Sequence, residues 1–447
     1  METSQLSFPT GLHNAYLFSI FNALSFQVVL GSPMILYAQT LGASATVLGI
    51  IAGMMPLLVI FQIPAAQYVS RVGFRRFVYA GWGTRVLFIF AMALVPLTVS
   101  FLNATTRLAL MLALLFGFNL SRGISSAAWL PWITSLVPDD LRGRYLARDA
   151  ACVNFASAVS FVVAAGGLGS APASWRFAGL FAFSAIMGAL SLVFLKRIPE
   201  VATPDQVRTS NTPVPYREIT RYPPFRKLLW GVLVWAVAYG GMTTFTVAFL
   251  KTEKRMPESV ILLVSSLSFA GGLSSLWFLG PRLDTLGSKP VLRFASLTWL
   301  TVAVGWSLLA GKILTGSMGF ILALQFLMGL FAALVSMAYT RLAMAVIPVM
   351  GRNHFFAVYS VVLNVTLGLA PVLWGLVMDA VGSARVAWGL EWNRYSVFFG
   401  AVSLIFIAVM VLAQRLEEPK AASMEALLHD LLIQSPQRAW VRLWPRG

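Results

Sequence analysis

Ala66-Gln67-Tyr68-Val69-Ser70-Arg71-Val72-Gly73-Phe74-Arg75-Arg76 and Gly280-Pro281-Arg282-Leu283-Asp284-Thr285-Leu286-Gly287-Ser288-Lys289 follow one pattern. In each, a small residue is followed four positions on by Ser or Asp, three further by Gly and two further by a cation. Gly73 and Gly287 lie 214 positions apart in a chain of 447 residues. A loop repeated at half the chain length marks a duplicated structure, and the flanking residues show what was duplicated.

Both copies stand between apolar runs. Hydrophobic residues make up 58% of the chain and charged residues 11%, with a mean hydropathy of +0.79. A soluble domain carries about 25% charged residues, so a soluble globular protein is excluded. The sequence divides into twelve predicted spans at 12–37, 44–69, 75–99, 106–137, 142–167, 175–195, 227–250, 258–280, 289–311, 317–347, 354–379 and 394–414. At 1.5 Å rise per residue, each is long enough to cross a hydrocarbon layer of about 30 Å. The expected fold is an all-α membrane protein, with twelve transmembrane helices in two pseudo-symmetric six-helix bundles. The predicted organisation is a bundle over 1–195, a connector over 196–226 rich in Pro and cations, a second bundle over 227–416 and a tail over 417–447. In the tail, Met424, Leu427, Leu428, Leu431 and Leu432 recur at helical spacing between Ser423 and Pro436, which predicts a short amphipathic helix.

The net charge of +17 would suit a nucleic-acid binder if it were clustered on one face. Instead it alternates with the loops. Twenty-two of the 33 Lys and Arg fall on the side that holds both termini and the connector, and eight fall on the other. This bias places both termini in the cytoplasm; Lys251, Lys254 and Arg255 are a local exception. The first apolar run is long enough to span and no Lys or Arg precedes it, so a cleaved signal peptide is not expected. Cys152 is the single cysteine, and His13, His354 and His429 lack metal-ligand spacing, so neither a disulfide nor a metal centre is expected. No GxxxxGK[ST] loop and no nucleophile–base constellation is found, which argues against an ATP-driven pump and against an enzyme.

The twelve spans, the long central connector and the repeated loop resemble the major facilitator superfamily, whose loop pattern is Gly-x3-Asp-Arg-x-Gly-x-Arg. The first copy keeps Arg71, Gly73 and Arg75 but has Ala66 for Gly and Ser70 for Asp. The second keeps Gly280, Asp284, Gly287 and Lys289 and has Thr285 for Arg. The segment Val137-Pro138…Arg142 is similar to the family's loop between spans four and five. Its counterpart is Ile347-Pro348…Arg352, and Asn154 and Asn364 share the same offset of 210. The resemblance implies that Arg71, Gly73, Arg75, Arg142, Gly280, Asp284, Gly287 and Lys289 serve gating. An acidic latch would then rest on Asp284, because Ser70 replaces its mate.

In such a transporter the solute site lies near the bilayer midplane between the halves, so polar residues within spans are the informative ones. Asn119, Arg122, Ser126 and Trp129 share one face of span four. An arginine at that depth needs water or a partner, and its planar fork suits an anion. The other candidates are Asn22 and Gln27 in span one, Tyr239, Thr243 and Thr244 in span seven, and Gln325, Ser336 and Tyr339 in span ten. A bridging role between helices competes with a ligand role for each. Arg85 is expected to snorkel or to pair with Asp149, and Arg341 to snorkel. Asp149 is also the fair candidate for proton coupling, since no other acid sits deep in a span.

The expected function is a secondary or facilitative transporter of a small organic solute, anionic or zwitterionic because of Arg122, in a bacterial-type inner membrane. No cofactor is expected. The expected partners are the solute and membrane lipids, with no nucleic acid, and the chain is expected to act as a monomer. An exporter or flippase of an amphiphile, and a transport-inactive sensor or scaffold, are the competing readings.

Overall fold

The computed structural model describes residues 11–137, 139–200, 221–279, 287–347, 352–381, 385–387, 389–416 and 418. The first six spans are formed by α1 (His13–Leu30) and α2 (Ser32–Thr40), α3 (Ala45–Leu58) and α4 (Gln62–Val72), α5 (Phe74–Leu94), α6 (Ala104–Leu136), α7 (Asp139–Leu168) and α8 (Ser174–Lys196). The second six are α9 (Pro223–Tyr239) and α10 (Met242–Thr252), α11 (Glu258–Ser274), α12 (Ser288–Ala310), α13 (Met318–Val346), α14 (Arg352–Ala380) and α15 (Arg394–Arg415). Among the described residues twelve spans are long and apolar enough to cross a membrane, and each falls within a few residues of its predicted range. Caps fix several starts: the side chains of Ser44, Asn103, Ser317 and Asn393 each accept a backbone N–H of the following turn.

Both glycines of the repeated loop take the conformation that the pattern demands. Gly73 has φ +88° and Gly287 φ +85°, each immediately before the third helix of its half. A side chain is disfavoured at that backbone angle, so the glycine spacing sets the turn in both copies. Arg71 is exposed there, whereas Gly280, Asp284, the side chains of Ser70 and Arg142, most of the connector and the predicted tail helix lie outside the described residues.

Three features depart from the sequence expectation. The fold contains a two-stranded antiparallel hairpin, β1 (Arg385–Ala387) and β2 (Leu390–Trp392), between α14 and α15. Spans one and seven are each interrupted near their middle. Arg341 does not snorkel: its Nη1 meets the Glu418 carboxylate at 2.6 Å, and the same carboxylate accepts the first N–H groups of α12 from Ser288 (2.8 Å) and Lys289 (2.7 Å). In the first half Glu200 holds the comparable place, pairing with Arg75 at 2.8 Å beside Gly73. A carboxylate that follows the sixth helix of each half is thus docked at the start of that half's third helix, where the helix dipole favours it. The signal was present in the sequence as an acid beside a proline, Pro199-Glu200 and Glu418-Pro419.

Within the first half α1 packs on α7 and α8, and α5 on α6 and α8; within the second, α12 packs on α13 and α15. The halves meet through α3 against α14 and α7 against α11. A Cβ on Gly53 would sit 2.2 Å from the Gly368 carbonyl oxygen, so only glycine permits this approach of α3 to α14. Large apolar side chains on the outer faces are open, with Leu87 and Leu404 each 69% exposed. On a soluble protein such a surface would be an association hazard; on a membrane-spanning one it faces lipid.

Candidate functional site

The interruptions in spans one and seven are symmetric. Gly31, between α1 and α2, is extended and followed by Ser32-Pro33; Gly241, between α9 and α10, has φ +87°. The two glycines are 210 positions apart, the offset that also relates Asn154 to Asn364. Interrupting a membrane helix frees backbone polar groups, which is tolerated where the chain lines a cavity. A cavity of about 340 Å³ lies at these breaks, walled by Leu30, Gly31 and Ser32 on one side and by Tyr239 and Thr243 on the other.

Its wall is mostly apolar, with several amide and hydroxyl side chains and no formal charge among the lining residues. Gln27 donates from Nε2 to Ser157 Oγ at 3.0 Å, which leaves its carbonyl oxygen for other partners. Asn154 donates to the Ala150 carbonyl at 2.9 Å. Ser268 donates to the Gln325 backbone carbonyl at 3.2 Å. Aromatic faces complete the wall. Tyr239 stands edge-on to Trp299 with centroids 5.5 Å apart, and Phe161 meets Phe269 edge-on at 5.1 Å.

Four polar atoms of this wall are buried without a hydrogen-bond partner: Gln325 Oε1, Ser265 Oγ, Trp299 Nε1 and Ser32 Oγ. Each orphan costs about 1–3 kcal/mol. Their gathering around one space marks a wall that a polar molecule would complete.

The cavity is sealed at the end away from the termini. There the Asp379 carboxylate at the end of α14 accepts Ala45 N (3.0 Å), Thr46 N (2.8 Å) and Thr46 Oγ1 (2.6 Å) at the start of α3. Across the other seam Ser259 N donates to the Gly169 carbonyl at 3.1 Å. Outside the spans, Lys312 and Glu391 pair at 2.6 Å on the same side. That contact holds the Glu391 carboxyl below its ordinary range and raises Lys312, mainly through their mutual hydrogen bond. Lys251 pairs with Glu258, which partly offsets the anomalous cation cluster of that side.

Of the sequence candidates, Gln27, Tyr239 and Gln325 line the cavity, and so do Thr243 and Asn154. The others are placed elsewhere. Asn22 accepts Trp82 Nε1 at 3.1 Å, Asn119 donates to the Leu115 carbonyl at 3.0 Å, and Ser126 donates to the Gly123 carbonyl at 2.8 Å. Ser336 is exposed, and Tyr339 is buried against Gly231. Arg122 is partly buried and is not among the lining residues. Asn364 donates to the Ser360 carbonyl at 2.8 Å, so only its mate Asn154 reaches the cavity. Asp149 accepts Ser19 Oγ at 2.6 Å and does not pair with Arg85, whose guanidinium lies between Trp82 and Phe118. Ser32, Ser265, Ser268 and Trp299 were missed. The Gly31-Ser32-Pro33 and Gly240-Gly241 breaks at matched positions were the signal for Ser32, and the sequence carried none for the other three.

A family model described as Major Facilitator Superfamily matches residues 15–312. No curated protein sequence matches the chain. Among solved structures, a mutant of the nucleoside transporter NupG superposes with a TM-score of 0.69 at 9% identity, covering 91% of this chain and 100% of that one. The inward open form of the xylose transporter XylE from E. coli superposes with a TM-score of 0.68 at 14% identity, covering 93% and 99%. A D-xylose-proton symporter gives 0.67 at 14% identity, covering 93% and 99%. At such identities the likeness establishes the twelve-helix fold.

Proposed function

The chain belongs to the major facilitator superfamily, and from that premise we propose that it moves a small polar organic solute by alternating access, with the solute held in the cavity between Gly31 and Gly241. The observation that carries this reading is the set of orphaned polar atoms on Gln325, Ser265, Trp299 and Ser32. Amides and hydroxyls beside aromatic faces suit a solute rich in hydroxyl or amide groups. The nucleoside and xylose transporters that share the fold handle molecules of that kind. The positive-inside bias supports a cytoplasmic location for both termini in a bacterial-type inner membrane. On that orientation the Asp379 contacts close the outer side. Asp149, sealed against Ser19, is the proposed site for proton coupling.

A second reading, an anionic or zwitterionic solute, is favoured by Arg122, which has no acidic partner among the described residues. Flux in proteoliposomes separates the two. We expect saturable uptake of a polyhydroxylated neutral solute that Gln325→Leu weakens and Arg122→Gln leaves in place. Uptake that Arg122→Gln abolishes and Gln325→Leu spares would establish the second reading instead. Failure of every solute to cross would end both.

A further inference from the structure

Six residues of the cavity wall come from the second half's third and fourth spans: Gln325, Ala333 and a group of four, Trp299, Met328, Gly329 and Ala332. α5 and α12 begin 214 positions apart, and α6 and α13 end 210 apart. At those offsets the same four places in the first half are taken by Arg85, Phe118, Asn119 and Arg122. The mirror wall therefore carries two cations.

Arg85 is 3% exposed. Its guanidinium carbon lies 4.8 Å from the ring centroids of both Trp82 and Phe118. The rings cover its faces and hold it as a fixed plane, but stacking leaves the in-plane N–H donors open. Nη2 reaches Asn22 Oδ1 at 3.5 Å, an oxygen that already accepts Trp82 Nε1. Nε and Nη1 are buried and have no partner, and the Asn119 amide oxygen nearby is also orphaned. Arg122 follows Phe118 by one turn of α6, and among the described residues neither arginine forms an ion pair with a carboxylate. Asp149 is occupied with Ser19.

Two like charges out of water repel each other and lose hydration, and the donors left unpaired add to that cost. Among the described residues no side chain supplies a counter-charge, and a bound anion would provide one. We propose that Arg85 and Arg122 form an anion site in the first-half wall, separate from the solute cavity, which takes a small oxyanion of the carboxylate or phosphate class. Arg122, partly open, is the reachable donor. Arg85 is the inner donor, held by its two rings. Both offer the paired N–H geometry that matches an oxyanion. The site does not depend on which solute the cavity carries.

The test uses the full chain purified in a neutral detergent. Inorganic phosphate and succinate are titrated separately against sodium chloride of equal ionic strength, with unfolding temperature and tryptophan fluorescence as readouts, Trp82 being the local reporter. The expected result is a saturable response to at least one of the two, and its identity assigns the class. Arg122→Gln should weaken the apparent affinity by about tenfold or more, as expected for a lost charged hydrogen bond, and Arg122→Lys should restore part of it. Gln325→Leu should leave the response intact. A wild-type response to neither anion beyond chloride overturns the site, as does an Arg122→Gln titration that matches wild type. Loss of the response in Gln325→Leu would place the anion in the solute cavity and overturn the separate site. An intact anion response in a protein that carries no solute would count against the transport reading alone.

Discussion

Trp299 and Arg85 occupy equivalent turns of equivalent helices, yet one borders the solute cavity and the other is held between two aromatic rings. In the second half, Gly329 and Ala332 are small and line the cavity together with Gln325, whose side-chain oxygen is buried without a hydrogen-bond partner among the described residues. In the first half, Arg85 lies between Trp82 and Phe118, with its guanidinium carbon 4.8 Å from each ring centroid. Duplication supplied two copies of one scaffold, and side-chain volume decided which copy kept a cavity. The difference teaches that fold symmetry and site symmetry are separate: helix ends obey the 210 and 214 offsets, whereas the third and fourth spans contribute to the solute wall only in the second half.

The most drastic way to break this contrast is to give the open wall the cation of the closed one. Ala332→Arg should fill the cavity with a long charged side chain and lower solute flux by on the order of 100-fold or more, as buried unpaired charge and lost volume together require. Near wild-type flux in proteoliposomes would mean that solute does not pass this wall. A subtler change sharpens the contrast. Gln325→Leu removes an oxygen that has no partner in the empty protein, so it should weaken solute binding by about 1–3 kcal/mol while the unfolding temperature of the unliganded protein stays level or rises. Asn119→Leu in the opposite wall should leave solute affinity unchanged. Equal losses from the two substitutions, read by titration calorimetry, would remove the distinction between the walls.

How much of this was legible follows the same division. The apolar runs fixed span number and boundaries because a bilayer imposes one length on every helix. Gly73 and Gly287 were readable because only one residue type suits their backbone. Arg122 was a natural choice for the site because a midspan cation is conspicuous, yet no pattern in one sequence reveals that its face turns away from the cavity. Trp299 and Ser265 were overlooked for the converse reason: an aromatic or a serine within an apolar run is indistinguishable from packing until the neighbours are known. The paired breaks at Gly31 and Gly241 were the one local signal that pointed to the right place.

The seal offers a third contrast between the halves. Asp379 caps the start of α3 with a carboxylate, whereas at the equivalent seam Ser259 meets only the Gly169 backbone carbonyl. Asp379 and Gly169 are 210 positions apart, so one seam has a removable charge and the other does not. Asp379→Asn should weaken the closed state by about 0.5–2 kcal/mol, the range of a helix cap. Spin labels at Thr40 and Arg394, one in each half, should then show a longer-distance population. An unchanged distance distribution would assign the closure to the backbone contact of Gly53 with Gly368 instead.

The smallest effect is expected at the hairpin β1–β2, which the first half lacks: there α7 passes to α8 through residues 169–173. Glu391 of β2 pairs with Lys312, which follows α12, and Glu391 N donates to the Gly311 carbonyl at 3.0 Å. Glu391 is depressed in the folded protein, so its contribution is present above the ordinary carboxyl value of about 4.3 and is lost as pH falls through its lower folded value. Lys312 is raised, so its contribution is complete below its ordinary value and is lost only as pH rises through the higher folded one. The pair is therefore fully formed across the neutral range. Hydrogen exchange at the Glu391 amide should show slightly greater protection in wild type than in Glu391→Gln at neutral pH, and the excess should vanish in acid. Solute flux should be the same in both proteins, because the hairpin adds to one half something that the solute wall does not use. Equal protection at every pH would reduce the pair to two surface charges that happen to meet.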